Sequence, residues 1–360
     1  MSSGARRHHL HLDVPRPPER TRARRGLSTT RVLAAIVVAT MLSPLAATVA
    51  EARAKPLATG LMSQGVQRKL WPSIVNVWVP NIYWRDIEPK PGVFRFGSIK
   101  KLVKEARTSG DVLRLRIDAG RMAPRWARRR FGSVEVYDPI DGLSAPVPRW
   151  WTKGYMRAYA HLQARLAAAF DGNPTIRAVT ISGAMTIYAE PFIRGLQDQR
   201  TRNNLLASTY TKKRDKRAEV RAVLAHRVWK RTRQILTINP WQYLNQNGTF
   251  GFRVRFTNHV MNRCRSVFGK RCILQNNSMR SSWLTDHMPG GYDPMFAHMK
   301  ALGPPISFQT ARSARVGDLS MVLDWCLSMG AHGVELKSGA VDQLTADQAQ
   351  TYDAKLDANG

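Results

Sequence analysis

Acidic residues are scarce in this chain of 360 residues, which has 25 Asp and Glu against 56 Lys and Arg and a formal net charge of +31. The first 54 residues hold nine of the bases and three of the acids, so the remainder still carries a net charge of +25. Such a surface attracts polyanions, including acidic glycans and anionic envelope polymers. The chain lacks zinc-finger spacing, a basic zipper and an aromatic ribonucleoprotein motif, which argues against specific nucleic-acid recognition.

Cysteine is also rare, with three residues, and none has metal-ligand spacing. Cys264 and Cys272 bracket a short loop between a predicted helix and a predicted strand, which favours a disulfide in an exported protein. Two reduced, buried thiols are the alternative, and Cys326 is expected to be a core thiol. No Gly-rich GxGxxG follows a predicted strand, so no cofactor and no metal are expected.

The N-terminal segment has the composition of a targeting sequence. Residues 1–31 are basic and rich in His and Pro, and 32–50 form an apolar run. Ala52-Arg53-Ala54 fits a small-residue cleavage site, with Thr48-Val49-Ala50 as an alternative. We therefore predict that 1–54 is an export signal, while the long basic region leaves an uncleaved membrane anchor through 32–50 as the competing interpretation. In both cases the protein is expected to be secreted or associated with the cell envelope.

Strand and helix patterns alternate along residues 55–340, without a hairpin signal or an internal repeat. Strands are predicted around 60–62 and at 74–79, 112–118, 178–183, 236–241, 272–277, 305–310 and 333–337. Helices are predicted at 98–108, 153–170, 218–235, 253–268, 292–302 and 317–329, with 198–217 as a polar excursion. The alternation predicts an α/β fold, a single (β/α)8 barrel of the TIM type. Residues 341–360 are expected to be a polar C-terminal tail that contributes little.

Strand periodicity indicates a polar barrel lumen. Alternate residues of a barrel strand face the lumen and the helices, and the apolar set should face the helices. The inward set is then Asn76, Trp78, Arg114, Arg116, Asp118, Thr180, Ser182, Thr237, Asn239, Ser307, Gln309, Glu335 and Lys337. A purely structural barrel fills its lumen with branched apolar residues, so this pattern predicts a ligand site at the strand ends. A satisfied internal network of Arg114, Arg116, Glu335 and Lys337 is the alternative.

Glu190 stands out as a candidate catalytic acid. It follows the 178–183 strand, lies beside Tyr188, and is the one Asp or Glu between Asp171 and Asp198. A carboxylate in the loop after a barrel strand is typical of a catalytic acid. An N-cap role or a surface ion pair with Arg194 is the alternative.

Three segments resemble strands two and three of clan A glycoside hydrolases, especially the family 42 β-galactosidase-like barrels. They are Trp84-Arg-Asp-Ile-Glu-Pro-Lys-Pro-Gly-Val-Phe-Arg-Phe96, Leu113-Arg-Leu-Arg-Ile117 and Ala123-Pro-Arg-Trp126. The resemblance implies a general acid after the fourth strand, which matches Glu190. Two positions depart from the family pattern. Gln309 stands where the nucleophile Glu ends strand seven, and Ala189 stands where Asn usually precedes the acid.

Together these features predict an exported glycoside hydrolase-like protein that acts on a polysaccharide or oligosaccharide, with an anionic glycan as one option. Glycosidic cleavage needs two carboxyl groups, which we assign to Glu190 as acid/base and Glu335 as nucleophile or base. The predicted contacts to sugar are Trp84, Arg116, Asp118, Trp126, Tyr188, Asn239, Trp241, Asn276, Asn277, Gln309 and Lys337. The alternative is a non-catalytic barrel that binds a glycan or an envelope polymer. The oligomeric state is left open.

Overall fold

The computed structural model describes residues 53–64, 73–138, 141–286, 288, 290–337 and 339–360. The predicted targeting segment and its apolar run at 32–50 lie outside these ranges, apart from the last two residues of 1–54. Within the described ranges, none of the helices combines the length and the apolar character that crossing a membrane requires.

Eight parallel strands form a closed barrel, which confirms the predicted (β/α)8 fold. In chain order the strands of the described residues are β1 (Gly60–Gln64), β2 (Val77–Val79), β3 (Asn81–Tyr83), β4 (Val112–Asp118), β5 (Ser133–Asp138), β6 (Leu143–Pro148), β7 (Ile176–Thr180), β8 (Arg233–Thr237), β9 (Gln242–Leu244), β10 (Phe250–Phe252), β11 (Cys272–Met279), β12 (Ile306–Thr310) and β13 (Ala331–Leu336). The barrel order is β1, β2, β4, β7, β8, β11, β12 and β13, and β13 pairs with β1 to close it. β3 continues β2 and pairs with β4.

Helices surround the barrel. They are α1 (Trp84–Ile87), α2 (Gly97–Ser109), α3 (Arg125–Phe131), α4 (Lys153–Phe170), α5 (Gln199–Ala207), α6 (Lys212–Ala225), α7 (Val254–Phe268), α8 (Ser282–Thr285), α9 (Tyr292–Ala301), α10 (Ser313–Val316), α11 (Leu319–Ser328) and α12 (Ala346–Ala358). The longer ones among them, such as α4, α7 and α11, each bury an apolar stripe. In α4 the predicted bounds are confirmed. Its stripe of Tyr155, Tyr159, Leu162 and Leu166 is buried, and Thr152 caps it by accepting a hydrogen bond from the Tyr155 amide.

Two parts of the predicted element order are wrong. The helix predicted at 218–235 is α6, which ends at Ala225, and β8 begins at Arg233. The sequence pattern was misleading because α6 buries two acids, Asp215 and Glu219, on its inner face. Two antiparallel hairpins, β5–β6 and β9–β10, were also missed, although Gly142 with its positive φ marks the first turn.

Strand β2 faces the opposite way from the prediction. Val77 and Val79 pack with Met62 inside the barrel, whereas Trp78 packs among the helices and Asn76 is exposed. The two valines fill the lower lumen, and the larger indole fits only in the layer outside it. Periodicity alone could not distinguish the two faces because both are buried.

Helix α12 belongs to the barrel wall, which corrects the prediction of a tail that contributes little. Thr345 forms a capping box with Gln348 at its start, and Leu356 is fully buried. Asp353 accepts a hydrogen bond of 2.6 Å from the Leu61 amide in β1. The C-terminal segment therefore holds the first barrel strand in place.

The predicted disulfide between Cys264 and Cys272 is confirmed, with Cα atoms 5.8 Å apart. It joins the end of α7 to the start of β11. Cys326 is a free, buried thiol in α11, as expected, and burial raises its pKa.

Gly60 tests the contact between β1 and α12. Its φ is +82°, and an added Cβ would lie 2.2 Å from Asp353 Oδ1. Gly110 is a matched control, because its φ is +78° but an added Cβ would meet nothing within 4 Å. We expect Gly110→Ala to cost about 1–2 kcal/mol in the free energy of unfolding, from the left-handed backbone alone. Gly60→Ala should cost at least about 1 kcal/mol more, as a buried contact must also shift. Equal costs in urea denaturation would show that α12 does not hold β1.

Candidate functional site

A cavity of about 260 Å³ opens where the barrel strands end. Its walls come from the loops after the strands and from the β5–β6 hairpin. The residues that line it are Gln64, Asn81, Arg116, Asp118, Arg121, Met122, Asp138, Asp141, Leu143, Met185, Ile187, Tyr188, Ala189, Glu190, Arg194, Asn277, Ser278, Arg280, Gln309, Ala311, Arg312, Arg315 and Lys337. The site therefore lies at the end of the barrel where polar residues were predicted to gather.

Beneath the cavity, two arginines from β4 fill the lumen. Arg114 donates hydrogen bonds of 2.6 Å to Gln275 Oε1 and 2.9 Å to Ser307 Oγ. Two residues further along β4, Arg116 donates to Gln309 Oε1 at 3.1 Å and to Glu335 Oε2 at 2.5 Å. The predicted inward orientation of these side chains is thus observed. The predicted internal network is only partly satisfied, because Arg114 Nε, Arg116 Nε and Glu335 Oε1 have no hydrogen-bond partner among the described residues, and Lys337 lines the cavity instead.

Glu335 belongs to the lower network and does not line the cavity. Its residue is only 1 % exposed, and one oxygen is committed to the ion pair with Arg116. Burial lowers the pKa of Arg116, but the neighbouring Glu335 outweighs it and the net pKa is raised. The second oxygen of Glu335, Oε1, has no hydrogen-bond partner among the described residues, but the residue does not line the cavity, so its catalytic role stays a prediction.

Asp118 and Glu190 do share the cavity. Asp118 ends β4, and Glu190 lies in the long loop after β7. The two loops are held together by the Arg121 amide, which donates to the Thr186 carbonyl at 2.9 Å. Gly120 permits this approach, since an added Cβ would lie 1.9 Å from the Thr186 oxygen. The two carboxyl groups are close enough for the charge of Glu190 to raise the pKa of Asp118.

Each of these two carboxyl groups has one oxygen without a hydrogen-bond partner among the described residues. The atoms are Asp118 Oδ1 and Glu190 Oε2. Burial in the cavity, partly offset by Arg116 and Arg121, raises the pKa of Asp118 to about 7. Unpaired buried carboxyl oxygens are costly, so their presence in a cavity indicates a functional site.

Tyr188 connects two further acids at the rim of the cavity. Its hydroxyl donates to Asp138 and, at 2.7 Å, to Asp141. Arg312 and Arg315 face Asp141 at 3.4 Å and 3.2 Å. Burial and the two acidic neighbours raise the Tyr188 pKa, whereas the Tyr188 hydroxyl lowers that of Asp141. This cluster ties the β5–β6 hairpin to the loop after β12.

The predicted tryptophan platforms do not line the cavity. Trp84 and Trp241 are fully buried, and their indole N–H groups donate to Glu88 and Asp215, each at 2.7–2.8 Å. Trp126 is partly buried, packs edge-on against Trp84, and donates to the Glu88 carbonyl at 2.9 Å. The Trp-Glu-Pro segment and the Ala-Pro-Arg-Trp segment therefore form one structural unit beside the site.

The predicted polar contacts divide into two groups. Asn277, Gln309 and Lys337 line the cavity together with Arg116, Asp118 and Tyr188. Asn239 and Asn276 do not. Asn276 Nδ2 donates to the Ile238 carbonyl at 2.6 Å and to Asn239 Oδ1 at 3.2 Å. Asn239 Oδ1 also accepts a hydrogen bond from the Tyr292 hydroxyl. This second pair supports the loop after β8 from outside the cavity.

Several cavity residues were missed in the sequence, mainly Arg121, Asp138, Asp141, Arg194, Arg280, Arg312 and Arg315. Most of them follow a barrel strand by a few residues, which is a usable signal. Arg194 was considered only as a surface partner of Glu190, yet it lies in the cavity. Burial lowers its pKa, but Glu190 and other neighbours outweigh this and raise it.

The cavity carries an excess of positive charge. Arg116 is paired with Glu335, and Arg312 and Arg315 share Asp141. The remaining cations that line it are Arg121, Arg194, Arg280 and Lys337. Burial lowers the pKa of Lys337, while Glu190 opposes this. Within the described ranges, no group of three or more His, Cys, Asp or Glu side chains is arranged to hold a metal ion.

Comparison with solved structures agrees with the fold. The chain is similar to the catalytic domain of β-amylase from Paenibacillus polymyxa, with a TM-score of 0.56, 11% identity, and coverage of 83% of this chain and 95% of that one. A weaker likeness is to endo-glycoceramidase II from Rhodococcus sp., with a TM-score of 0.49, 16% identity, and coverage of 79% of this chain and 73% of that one. Another is to β-galactosidase from Marinomonas ef1, with a TM-score of 0.48, 10% identity, and coverage of 82% of this chain and 59% of that one. At such identities the likeness shows the barrel alone. Neither family models nor curated proteins matched the sequence.

The raised pKa of Asp118 makes a prediction for stability. The folded chain holds this proton up to a pH of about 7, whereas an unfolded aspartate releases it near about 4. The folded state therefore binds more protons between these values, and its stability falls as the pH rises through them. Asp118→Asn removes this pH-dependent loss of stability. The difference in Tm between the variant and the wild type should therefore be at least about 2 °C more positive at pH 8 than at pH 4.5.

Asp286→Asn, at an exposed aspartate, serves as the control and should show no such difference. Thermal unfolding followed by circular dichroism at both pH values measures the effect. A change in Tm for Asp118→Asn that is the same at both pH values would contradict it.

Proposed function

We propose that this protein is a glycoside hydrolase-like enzyme that cleaves a negatively charged polysaccharide or oligosaccharide at the barrel mouth. The observation that carries the proposal is the pair of carboxyl groups, Asp118 and Glu190, which share one cavity and each keep an unpaired oxygen. Glycosidic cleavage uses a protonated carboxyl group and an ionised one, so the chemistry needs such a pair.

Asp118 is the candidate proton donor. With a pKa of about 7, set mainly by burial, it keeps its proton in mildly acidic and neutral solution. A carboxyl group in that range can protonate the leaving glycosidic oxygen and take the proton back afterwards. This assignment differs from the sequence-based one, in which Glu190 was the acid.

Glu190 is the candidate ionised partner. Three cations, Arg116, Arg194 and Lys337, interact with its charge, as the pKa values of all three respond to it. As a carboxylate it can support attack at the anomeric carbon, either directly or by activating a water molecule.

The resemblance to family 42 supports the place of Glu190 after the fourth barrel strand. It does not supply the second carboxylate, because Gln309 ends strand seven and is bonded to Arg116. In our proposal Asp118, after strand three, takes that part. Export to the cell exterior or envelope, with or without a tether through 32–50, is proposed from the sequence.

The charge of the cavity supports an anionic substrate. Four partly buried cations that line it, Arg121, Arg194, Arg280 and Lys337, form no salt bridge among the described residues, and Glu190 faces only Arg194 and Lys337 of them. Carboxylate or sulfate groups on a sugar would meet Arg194, Arg280 and Lys337. Arginine in particular binds such planar or tetrahedral anions through two parallel hydrogen bonds.

A second candidate function is glycan binding without catalysis. The ion pair that commits Glu335 to Arg116 and the presence of Gln309 on strand seven favour it. In this case the same cations would hold the glycan, and Asp118 and Glu190 would only accept hydrogen bonds from its hydroxyl groups.

Substitution of the two carboxyl groups tests the enzyme proposal. Release of reducing ends from a panel of acidic and neutral polysaccharides should fall at least about 100-fold in Asp118→Asn and in Glu190→Gln. Wild-type activity should decline as the pH rises through about 7, because Asp118 then loses its proton. Arg130→Gln, on the exposed end of α3, is the control and should keep full activity.

Activity that survives either substitution would exclude that residue from the reaction. Binding of a glycan without release of reducing ends by the wild type would favour the second candidate function.

Substrate charge is tested with one polysaccharide in two forms, the native uronic-acid polymer and its carboxyl-reduced derivative. Arg280→Gln and Lys337→Gln should each raise KM for the acidic form about 10-fold and leave KM for the reduced form unchanged. Equal effects on both forms would show that these cations do not read the charge.

A further inference from the structure

A second groove lies on the outer wall of the barrel, between helices α6 and α7. Its volume is about 710 Å³, and it shares no lining residue with the barrel mouth. Five cations and a histidine line it, namely Lys216, Arg217, Arg221, Arg253, Arg255 and His259, together with Val220, Leu224 and Phe256. No Asp or Glu is among these residues.

Helical spacing produces this arrangement. On α6, Arg217 and Arg221 are four residues apart and so lie on one face. Val220 and Leu224 form a parallel row at the same spacing. Across the groove, Arg255 and His259 repeat that spacing on α7. The result is an apolar floor bordered by positive charge on both sides.

The acids of α6 do not neutralise the groove, since both point into the protein. Asp215 is fully buried and accepts hydrogen bonds from Trp150 and Trp241, each of 2.8 Å, and Glu219 is 1 % exposed. Burial raises the pKa of Asp215 to about 6 and that of Glu219 well above its usual range. Within the described part of the chain, no ion pair joins the five groove cations to a carboxylate.

The groove cations therefore repel each other, and the buried Asp215 offsets this only in part at Lys216. Burial lowers the pKa of Lys216, and the charges of Arg253 and Lys212 lower it further. Lys216 Nζ lies 5.1 Å from the centres of both the Trp241 and the Phe256 rings, which holds it over the floor. Like charges gathered around an apolar floor cost stability, and an anionic ligand would remove that cost.

The apolar floor decides the kind of anion. Val220 and Leu224 are partly exposed at its base, and the groove presents no carboxylate or amide acceptor for sugar hydroxyls. A polyanion with a fully polar backbone would leave this floor unused. An amphiphile that joins a phosphate to a hydrocarbon chain would use both parts.

We propose that the α6–α7 groove binds an anionic phospholipid, with the phosphate among Arg217, Arg221 and Arg253 and the first part of an acyl chain along Val220 and Leu224. The chain's own N-terminal segment is a poor occupant, because its first 54 residues carry nine bases against three acids. The site is independent of the barrel mouth and of the function proposed for it.

The test uses the full chain and short-chain lipids that are monomeric in solution, so that general adsorption to a charged bilayer does not contribute. Isothermal titration calorimetry should detect dihexanoyl phosphatidylglycerol. Dihexanoyl phosphatidylcholine has the same chains but no net charge, and glycerol 3-phosphate has the phosphate but no chains. Each should bind at least about 10-fold more weakly.

Variants assign the binding to the groove. Arg217→Gln, Arg221→Gln and Arg253→Gln combined should weaken the binding of dihexanoyl phosphatidylglycerol about 100-fold, at about fivefold per cation. Arg125→Gln, Arg129→Gln and Arg130→Gln combined, on the exposed part of α3, remove the same charge elsewhere and should leave Kd within about threefold. Val220→Ser with Leu224→Ser keeps all charges and should weaken binding about 10-fold.

Equal losses in the two triple variants would overturn the proposal in favour of attraction by net charge alone. Glycerol 3-phosphate binding as tightly as the lipid, or no effect of the two serine substitutions, would overturn the lipid assignment and leave a plain phosphate site. Absence of any binding by the wild type would overturn the proposal altogether.

Discussion

The ion pair between Arg116 and Glu335 is the interaction on which the rest of the barrel mouth depends. It crosses the lumen from β4 to β13 at 2.5 Å, with both side chains almost fully buried. Removing one partner of such a pair leaves an uncompensated charge and typically costs about 3–5 kcal/mol. The pair also sets the floor of the cavity, because Arg116 donates a hydrogen bond to Gln309 at the same level of the barrel. Arg116 and Gln309 line the cavity at that level together with Asp118 and Glu190, whereas Glu335 does not.

The cost of a buried, uncompensated charge shapes both charged surfaces, the barrel mouth and the α6–α7 groove. At the mouth, burial keeps Asp118 close to neutral, and in α6 the acids Asp215 and Glu219 point into the core. In a chain with more than twice as many bases as acids, withdrawing a few acids leaves clusters of unpaired cations. We propose that each cluster binds an anion, and the two clusters differ in their neighbouring side chains. Carboxyl groups accompany the cations at the mouth, and apolar side chains accompany them in the outer groove.

Resemblance in sequence located the site region but misassigned several roles. The segment that begins at Trp84 resembles a family of catalytic barrels, yet its Trp84 and Glu88 form a hydrogen-bonded unit with the partly buried Trp126. Aromatic residues beside a predicted site have two possible uses, packing or stacking on a sugar. The side chain is equally hydrophobic in either use, and only the direction in which its ring points distinguishes packing from stacking on a sugar.

Local patterns in the chain are enough to predict the alternation of strands and helices, the inward polar set on barrel strands other than β2, the Cys264–Cys272 bond and Glu190 as a candidate. These follow from local spacing, because side chains on one strand or helix face repeat with a fixed period. Tertiary structure alone decided which carboxyl group accompanies Glu190. Asp118 and Glu335 both end barrel strands and have the same parity, but their depth in the lumen differs. Depth depends on strand register and on which cation reaches across the barrel, and these are set by contacts between residues more than 200 positions apart, as in Arg116 and Glu335.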